Sequence, residues 1–453
     1  MDKSRRNFLI TIILASIIMS SIFAFGFDQP LMGDALDYDR LGQNLAQGNG
    51  FSLSQSAPYI KTMYREPAYP AFLALVYSIF GHNLAVVKLL QIFIYALSCI
   101  LLFYLTLIVF NEKIARISSG LFAIFPTCAN YPSYLLTETF FTCLLISVVL
   151  ILSVALARGR HKFLFYGGIL LGVSILCKAA MLLFFIPIFF VLYLKVKYGA
   201  FKYFMILFAG SLLVLTPWIA RNYLEFGAFN ITLRGGTQLL YRAQNLDNSL
   251  EKIKATIVYS VSERLGKKIY PHCADNPAEF LDKDLNIIYR QESELRQKGY
   301  TDLEIDRIEA RDALSLISRR PVAYLMQSPL EFIKLSAFAH IPLLNQPDII
   351  GKFDSFINGP VLMSMIRGVF HILSYLILLL TITGMWLSRR EWRDWVLIAG
   401  LIIYINVVHS MLFASARYTV PLIPFYLVFS SYVISALLKT PKINAKSILG
   451  HKA

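Results

Sequence analysis

An aspartate on one face of a short helix is the first residue whose type and position suit it to chemistry. The stretch 33–46, GDALDYDRLGQNLA, is typical of a helix. At 100° per residue its apolar stripe consists of Tyr38, Leu41 and Leu45. Asp34 falls within that stripe, whereas Asp37 and Asp39 lie about 80° and about 120° from its centre. A carboxylate on a face that meets an apolar bundle is desolvated, which raises its pKa and makes it a better base. The alternative is that Asp34 only caps the helix.

Further charged residues stand beside apolar runs, where an unpaired charge is costly. They are Glu138, Lys178, Arg221 and Arg417. Each also has a structural interpretation, because a helix N-terminus stabilises an acid, a lysine can extend its ammonium to the membrane surface, and arginines anchor span ends. Since all four lie on the same predicted side of the membrane as Asp34, we expect one polar site at that surface.

Membrane-spanning helices must hold these residues in place. The chain has 453 residues, of which 57% are hydrophobic and 16% are charged, against about 25% charged in a soluble domain. Apolar runs near 20 residues recur, and each can cross ~30 Å of hydrocarbon. They predict ten spans near 7–27, 84–110, 114–128, 138–157, 163–177, 180–194, 203–219, 362–387, 395–413 and 419–438. We therefore exclude a soluble enzyme and expect an all-α polytopic membrane protein with a bundle of about ten transmembrane helices.

The distribution of charge predicts which span ends face the cytoplasm. The segments 1–6, 111–116, 158–162, 195–202, 389–394 and 439–453 together hold 18 Lys and Arg against 4 Asp and Glu. The long loop 220–361 holds 18 of each. The net charge of +15 is thus a positive-inside signal with both termini cytoplasmic, and it does not indicate nucleic-acid binding. A short hairpin at 163–194 is required, because a single tilted span there would invert every later assignment.

Two polar segments, 28–83 and 220–361, are too long to be turns and are expected outside, where function should be sought. They divide the chain into an N-terminal transmembrane module, 1–219, that carries the first outer loop, an outward-facing helical domain at 220–361, and a C-terminal transmembrane part with a basic tail, 362–453. Within the helical domain we predict helices at 249–268, 277–298 and 302–319. An apolar helix from Ser328 to about Leu344 is expected to lie in the membrane interface.

Neither a cofactor nor a metal is expected. The chain has no Gly-x-Gly-x-x-Gly or Gly-Lys-Ser/Thr motif, and its five cysteines and seven histidines show no paired metal-ligand spacing. Asp34 and Glu138 could share a divalent ion, but two carboxylates are few for a hard cation that prefers six oxygens.

Several short motifs, in their order and positions, resemble those of the GT-C superfamily of membrane glycosyltransferases, specifically the bacterial family related to protein O-mannosyltransferases and aminoarabinose transferases (glycosyltransferase family 39-like). They are Asp34 with Tyr38, Gly48-Asn49-Gly50-Phe51, Tyr64-Arg65-Glu66-Pro67-Ala68-Tyr69-Pro70, Leu136-Thr137-Glu138, Pro217-Trp218 with Arg221-Asn222, and Arg417-Tyr418 with Pro421 and Pro424. The similarity extends over the whole framework and is weakest at about 235–320.

This resemblance implies a sugar donor carried on a polyprenyl phosphate and an active site at the outer surface of the cytoplasmic membrane. Asp34 would be the general base, and Glu138, which matches the acid of the second loop, is expected to be the other catalytic residue. The residues expected to bind substrate are Tyr38, Lys61, Arg65, Glu66, Lys178, Arg221, Arg417 and Tyr418. One departure matters, because aminoarabinose transferases have Glu-Lys-Pro-Pro where this chain has Arg-Glu-Pro-Ala. The phosphate-holding lysine is absent there, so that Arg65, Lys61 or Lys178 would substitute for it.

A carboxylate base without a nucleophile implies a single displacement with inversion at the anomeric carbon. The acceptor would be a hydroxyl of a glycan, lipid or protein. Two alternatives remain open at this point. One is a ligase or polymerase of lipid-linked glycans, which also needs a lipid-phosphate leaving group. The other is a transporter of lipid-linked sugars, although the sequence contains none of the internal symmetry common in transporters.

Overall fold

The computed structural model describes residues 2–27, 30–247, 263–271, 277–338 and 359–438, with a few more between 251 and 259. These residues are mostly helical, and their one β-type pairing is an isolated bridge between Ser52 and Lys61. The principal helices are α1 (Lys3–Gly26), α2 (Asp34–Ala46), α3 (Ala68–Phe80), α4 (Leu84–Val109), α5 (Glu112–Ala123), α6 (Thr137–Ala157), α7 (Lys162–Cys177), α8 (Phe185–Val196), α9 (Ala200–Phe226), α10 (Gly235–Gln244), α11 (Pro277–Gln297), α12 (Asp302–Arg319), α13 (Pro321–Leu335), α14 (Gly359–Leu387), α15 (Trp392–Met411) and α16 (Ile423–Leu437). The predicted all-α fold class is confirmed.

Seven helical stretches of the described residues are long and apolar enough to cross a membrane. One of them, Ala179–Phe226, covers two predicted spans, because α8 and α9 follow each other after short turns. The predicted spans 114–128 and 163–177 correspond to the shorter helices α5 and α7. Each of the ten predicted spans therefore contains a helix, and the protein is a multi-pass membrane protein.

The helices alternate in direction, which gives the bundle two distinct ends. At the first end Arg5 pairs with Glu112 at 2.5 Å, and Lys113 donates to the carbonyl of Ser435 at 3.1 Å. The start of α1 thus lies near the last turn of α16. At the opposite end Lys88 of α4 donates to the carbonyl of Ala24 at 3.3 Å. Both ends of the described helical chain lie at the first end, as expected for two cytoplasmic termini. The basic tail 439–453 lies outside the described residues.

Glycines define how the short segment 163–194 is folded. A Cβ on Gly168 of α7 would lie 1.9 Å from the carbonyl oxygen of Leu207 in α9, and one on Gly172 would lie 2.9 Å from the Cβ of Val214. Residue numbers therefore rise together along the two helices, so that α7 and α9 run in the same direction. Helix α8 must return between them, and the predicted hairpin is confirmed.

Helix α2 is buried on two faces. Tyr38, on the predicted stripe, is 5% exposed and packs edge-on against Tyr69 with ring centroids 5.2 Å apart. Asp39, on another face, is only 4% exposed and accepts a 2.6 Å hydrogen bond from the hydroxyl of Tyr77. His82 lies 2.8 Å from the same carboxylate. The carboxylate of Asp39 therefore fixes α2 on α3.

The loop domain contains the predicted helices 277–298 and 302–319 as α11 and α12. A capping box begins α12, in which Thr301 and Glu304 exchange side-chain and backbone hydrogen bonds. Most of the predicted helix 249–268 lies outside the described residues.

The interfacial helix predicted from Ser328 to about Leu344 is wrong in its bounds, and its position in the membrane interface stays a prediction. Helix α13 begins at Pro321, an N1 position that proline favours, and contains the later proline internally. The hydroxyl of Tyr324 donates to the carbonyl of Met411 at the end of α15, at 2.5 Å. The hydroxyl of Thr419 donates to the carbonyl of Leu335 at 2.8 Å. Helix α13 is therefore attached to the bundle. Residues 339–358 lie outside the described part.

Candidate functional site

A buried ion-pair network lies at the end of the bundle opposite the first end. It begins with Asp34, in the first turn of α2. Its Oδ1 atom lies 2.5 Å from Nη2 of Arg65, and its Oδ2 atom lies 2.9 Å from Nη1 of Arg417. The same Nη2 of Arg65 also donates to Oδ2 of Asp37, at 2.6 Å. Asp34 is therefore held between two arginines that are far apart in sequence.

The second carboxylate of the network is Glu138, in the first turn of α6. Its side chain is fully buried, and Oε1 accepts from Nε of Arg417 at 2.6 Å and from Nζ of Lys178 at 3.2 Å. Lys178 lies at the C-terminus of α7, and Arg417 lies in a 3-10 segment just before α16. Three transmembrane elements thus converge here, and Arg417 bridges Glu138 and Asp34.

The pKa of Asp34 is lower than its ordinary value. Burial raises the pKa, but the charges of Arg65, Arg417 and Arg234 stabilise the carboxylate and outweigh the burial. Burial lowers the pKa of Arg65, but Asp34 and its other neighbours raise it above the ordinary value. The raised pKa expected for Asp34 is therefore wrong. The helical wheel correctly indicated burial, but it could not identify cations contributed by distant segments.

Next to this network lies a cavity of about 570 Å³. Asp34, Lys178 and Arg417 lie on its wall, together with apolar residues such as Leu182, Leu183 and Ile219. The volume is typical of a small-molecule site with a few polar groups on an apolar surface. An anionic head group with an apolar chain fits this combination of cations and hydrocarbon.

Three other predicted residues also lie on this cavity, namely Tyr38, Glu66 and Tyr418. Glu66 accepts a hydrogen bond from the backbone N–H of Ala179 at 3.1 Å and so connects the first loop to the turn after α7. Nζ of Lys178 lies 4.9 Å from the ring centroid of Tyr418, within cation–π distance.

Four predicted residues do not lie on this wall; Arg65 and Glu138 belong to the ion-pair network behind it, whereas Lys61 and Arg221 belong to neither. Lys61 forms a 2.5 Å ion pair with Glu225 and is half-exposed. Arg221 donates to the carbonyl of Thr62 at 2.9 Å and lies over the ring of Trp218 at 4.9 Å. Arg221 therefore anchors the first loop to the end of α9. Arg221 thus has the structural role expected of an arginine that anchors the end of a membrane span.

The structure also adds residues that the sequence did not indicate. Arg234 lies on the cavity wall just before α10, with its guanidinium 5.5 Å from the ring centroid of Tyr64. Arg234 belongs to the loop 220–361, which holds 18 basic and 18 acidic residues. The charge of that loop therefore gave no reason to select this arginine. Asp37 was placed off the apolar stripe and was not predicted to act, yet it is the second carboxylate on Arg65.

The two carboxylates that could have shared a divalent ion are instead joined through a guanidinium. Arg417 contacts both Asp34 and Glu138. Within the described ranges no group of three or more His, Cys, Asp or Glu side chains could hold a metal ion. These side chains do not fit a metal centre, and metal independence stays a prediction.

A family model described as dolichyl-phosphate-mannose-protein mannosyltransferase matches residues 64–220, about a third of the chain. The matched part includes Arg65, Glu138 and Lys178 but neither Asp34 nor Arg417. Comparison with curated protein sequences gives no match.

Solved structures resemble nearly the whole chain. AglB, an oligosaccharyltransferase from Archaeoglobus fulgidus, in complex with an inhibitory peptide and a dolichol-phosphate, matches with a TM-score of 0.52 at 13% identity, over 96% of this chain and 51% of that chain. The oligosaccharyltransferase tethered to an acceptor peptide with the NVT sequon gives 0.52 at 14% identity, over 95% and 49%. ArnT from Cupriavidus metallidurans, in the apo state, gives 0.42 at 12% identity, over 94% and 78%.

This chain spans about half the length of the archaeal chains it matches. At such identities the likeness shows the fold alone. The resemblance found in the motifs is confirmed at that level, and this chain is a multi-pass membrane protein whose fold is similar to that of the archaeal oligosaccharyltransferase.

Proposed function

We propose that this chain is an inverting glycosyltransferase that moves a sugar from a polyprenyl-phosphate donor to a hydroxyl of a glycan, lipid or protein. One observation carries the proposal. A carboxylate, Asp34, and a bridging cation, Arg417, lie 2.9 Å apart on the wall of a partly apolar cavity at one end of a transmembrane bundle.

Asp34 is the general base. The acceptor oxygen bonds to the anomeric carbon as the bond from that carbon to the phosphate oxygen breaks, and the hydroxyl proton passes to the Asp34 carboxylate. The electron pair of the broken bond leaves with the lipid phosphate. A positioned base contributes about 10²–10⁴-fold to such a step. Because the carboxylate attacks no carbon itself, the configuration inverts.

The leaving phosphate is held by Arg417 and Lys178, with Arg234 on the same cavity wall. Charge-assisted hydrogen bonds to phosphate strengthen as negative charge develops on the leaving oxygen. The apolar part of the wall then receives the first isoprene units. In support, the archaeal oligosaccharyltransferase with this fold has been solved with a dolichol-phosphate.

Donor binding also activates the base. Asp34 and an incoming phosphate compete for the guanidinium of Arg417, which already contacts the carboxylate. Once that guanidinium turns to the phosphate, the pKa of Asp34 rises toward its ordinary value and the carboxylate accepts a proton more readily. Glu138 is fully buried and contacts the two cations. It therefore acts as a positioning residue for them and does not contact substrate.

The site faces the periplasm or exterior. Basic residues concentrate in the loops assigned to the other end of the bundle, and such residues stay in the cytoplasm. The inner membrane is then the site of action, with both termini cytoplasmic.

The test uses the full chain purified into lipid nanodiscs. Polyprenyl-phosphate sugars with radiolabelled hexoses and pentoses are supplied with membrane glycolipids, oligosaccharides and peptides, and label transfer is measured with and without EDTA. Arg417→Lys keeps the charge but cannot bridge two groups as a guanidinium does, so we expect weaker donor binding and about 10-fold or greater loss of transfer. Arg290→Lys, an exposed arginine of α11 that lies on neither cavity wall, is the matched control.

Transfer that depends on Arg417 supports the proposal, whereas failure to bind polyprenyl phosphate overturns it. Transfer of lipid-linked oligosaccharides but of no monosaccharide would identify a ligase or polymerase. Movement of an intact lipid-linked sugar across a liposome bilayer would identify a transporter.

A further inference from the structure

We propose that a second cavity, separate from the donor cavity, binds the acceptor and that the acceptor there is an uncharged saccharide. The inference rests on the proposed function, because it names the substrate class for the same reaction. The cavity has a volume of about 500 Å³ and lies between the first loop and the helical domain. Its wall includes Asp37, Tyr64, Tyr289, Glu292, Arg296 and Asp302.

The position of this cavity suits an acceptor. Asp34 lies on the donor cavity and Asp37 on the second one, and Nη2 of Arg65 lies 2.5 Å from an oxygen of the first and 2.6 Å from an oxygen of the second. Those two oxygens are therefore at most 5.1 Å apart. An acceptor hydroxyl that enters past Asp37 is separated from the Asp34 carboxylate by the guanidinium of Arg65. It therefore approaches the base from the second cavity and not from the apolar wall of the donor cavity.

Each charged side chain on this cavity already has an ion-pair partner, and acids outnumber cations on the wall. Arg296 pairs with Glu292 at 3.3 Å and with Asp302 at 3.0 Å, while Asp37 pairs with Arg65. The remaining cation on the wall, Lys61, pairs with a glutamate of α9. A phosphorylated or strongly anionic acceptor would have to break these pairs. An uncharged ligand with many hydroxyls can donate to the carboxylates and accept from the guanidinium without breaking them.

Two tyrosines complete the argument for a sugar. Tyr64 and Tyr289 present rings beside the charged groups, and Tyr289 is 39% exposed. A pyranose has apolar C–H faces and a polar rim, which match an aromatic body with a polar edge. A lipid acceptor would instead need a continuous apolar path, as in the donor cavity.

The experiment measures saccharide binding directly on the full chain in nanodiscs, by saturation-transfer NMR with mono- and disaccharides of mannose, glucose, galactose and N-acetylglucosamine. We expect Tyr289→Ala to weaken binding by about 3- to 10-fold, as for loss of one aromatic contact. Tyr289→Phe keeps the ring and should stay within about twofold of the wild type. Tyr300→Ala changes a tyrosine of similar exposure, 44%, away from this cavity wall and should bind as the wild type does.

Polyprenyl-phosphate binding is measured on the same samples, so that the two proposals fail separately. If donor binding and transfer are found but no saccharide binds, or peptides or lipids are the acceptors, the saccharide assignment is overturned while the transferase proposal stands. Equal saccharide binding by Tyr289→Ala and the wild type also overturns it. Loss of binding confined to Tyr289→Ala supports it, even if no donor is found.

Discussion

Replacement of Asp34 by asparagine distinguishes the role of this side chain as the base from its role in ion pairs. We expect opposite effects, with a fall in transfer and a rise in donor affinity. Asparagine has nearly the same size but cannot accept the hydroxyl proton. Transfer should fall by about 10²–10⁴-fold, the usual contribution of a positioned base.

Donor affinity should rise, because Asp34 and the phosphate compete for Arg417. The wild-type contact is a charge-assisted hydrogen bond of 2.9 Å from a side chain that is 23% exposed. Such bonds contribute about 1.5–3 kcal/mol, whereas neutral ones contribute about 0.5–1.5 kcal/mol. The substitution therefore weakens the competing contact by about 1 kcal/mol, which corresponds to about fivefold tighter phosphate binding.

Two measurements check this expectation on the same preparation: calorimetric titration with a short-chain polyprenyl phosphate and single-turnover transfer of a labelled sugar. Asp312→Asn is the control, because that exposed acid of α12 lies on neither cavity wall. If Asp34→Asn keeps transfer within about tenfold of the wild type, Asp34 is not the base. If it binds phosphate more weakly, the proposed competition for Arg417 is refuted.

Three further results are expected. Glu138→Gln removes the buried carboxylate shared by two partly exposed cations, which should lower the stability by about 1–3 kcal/mol and weaken donor binding, and unchanged melting and binding would contradict the positioning role. Burial raises the pKa of Glu309 to about 7. The folded state therefore retains a proton that the unfolded chain loses near pH 4.5, so that this contribution to stability is full below pH 4.5 and is lost as the pH rises through 7. The melting temperature should be higher at pH 5 than at pH 8, and Glu309→Gln should reduce that difference. Single cysteines at Lys298 and Lys197, in a cysteine-free chain, should react from outside only at the first position, and the reverse pattern would invert the topology.

The fold was largely predictable because the physics that determines it is local. Apolar runs and basic clusters predicted every span and the hairpin at 163–194, and the helix 302–319 was predicted to the residue as α12. The first residue of α13 was not predictable, because Pro321 and Pro329 are both possible helix starts and the local sequence does not select between them.

The site was predictable in its members but not in their pairing. The helical wheel selected Asp34, and the cost of burial selected Glu138, Lys178 and Arg417 together with Arg221, which is an anchor. Their partners come from other segments, between 31 and 383 residues away, so a helical wheel assigned the wrong sign to the pKa shift of Asp34. By the same limitation the wheel placed Asp39 about 120° from the centre of the stripe and did not predict its burial. Its contacts with Tyr77 and His82 make it structural.

The glycine contact between α7 and α9 has a consequence for how substrates of different size can be accommodated. Since a side chain at Gly168 would collide with the backbone of α9, the two helices cannot slide or separate without losing their packing. The wall that carries Lys178 is thus held in place, and under the proposed function it sets one depth for the lipid phosphate whatever sugar is attached. Adjustment to another sugar must come from the opposite wall, in the segment 229–238 before and within α10. Exchange of that segment is therefore the rational route to altered donor specificity.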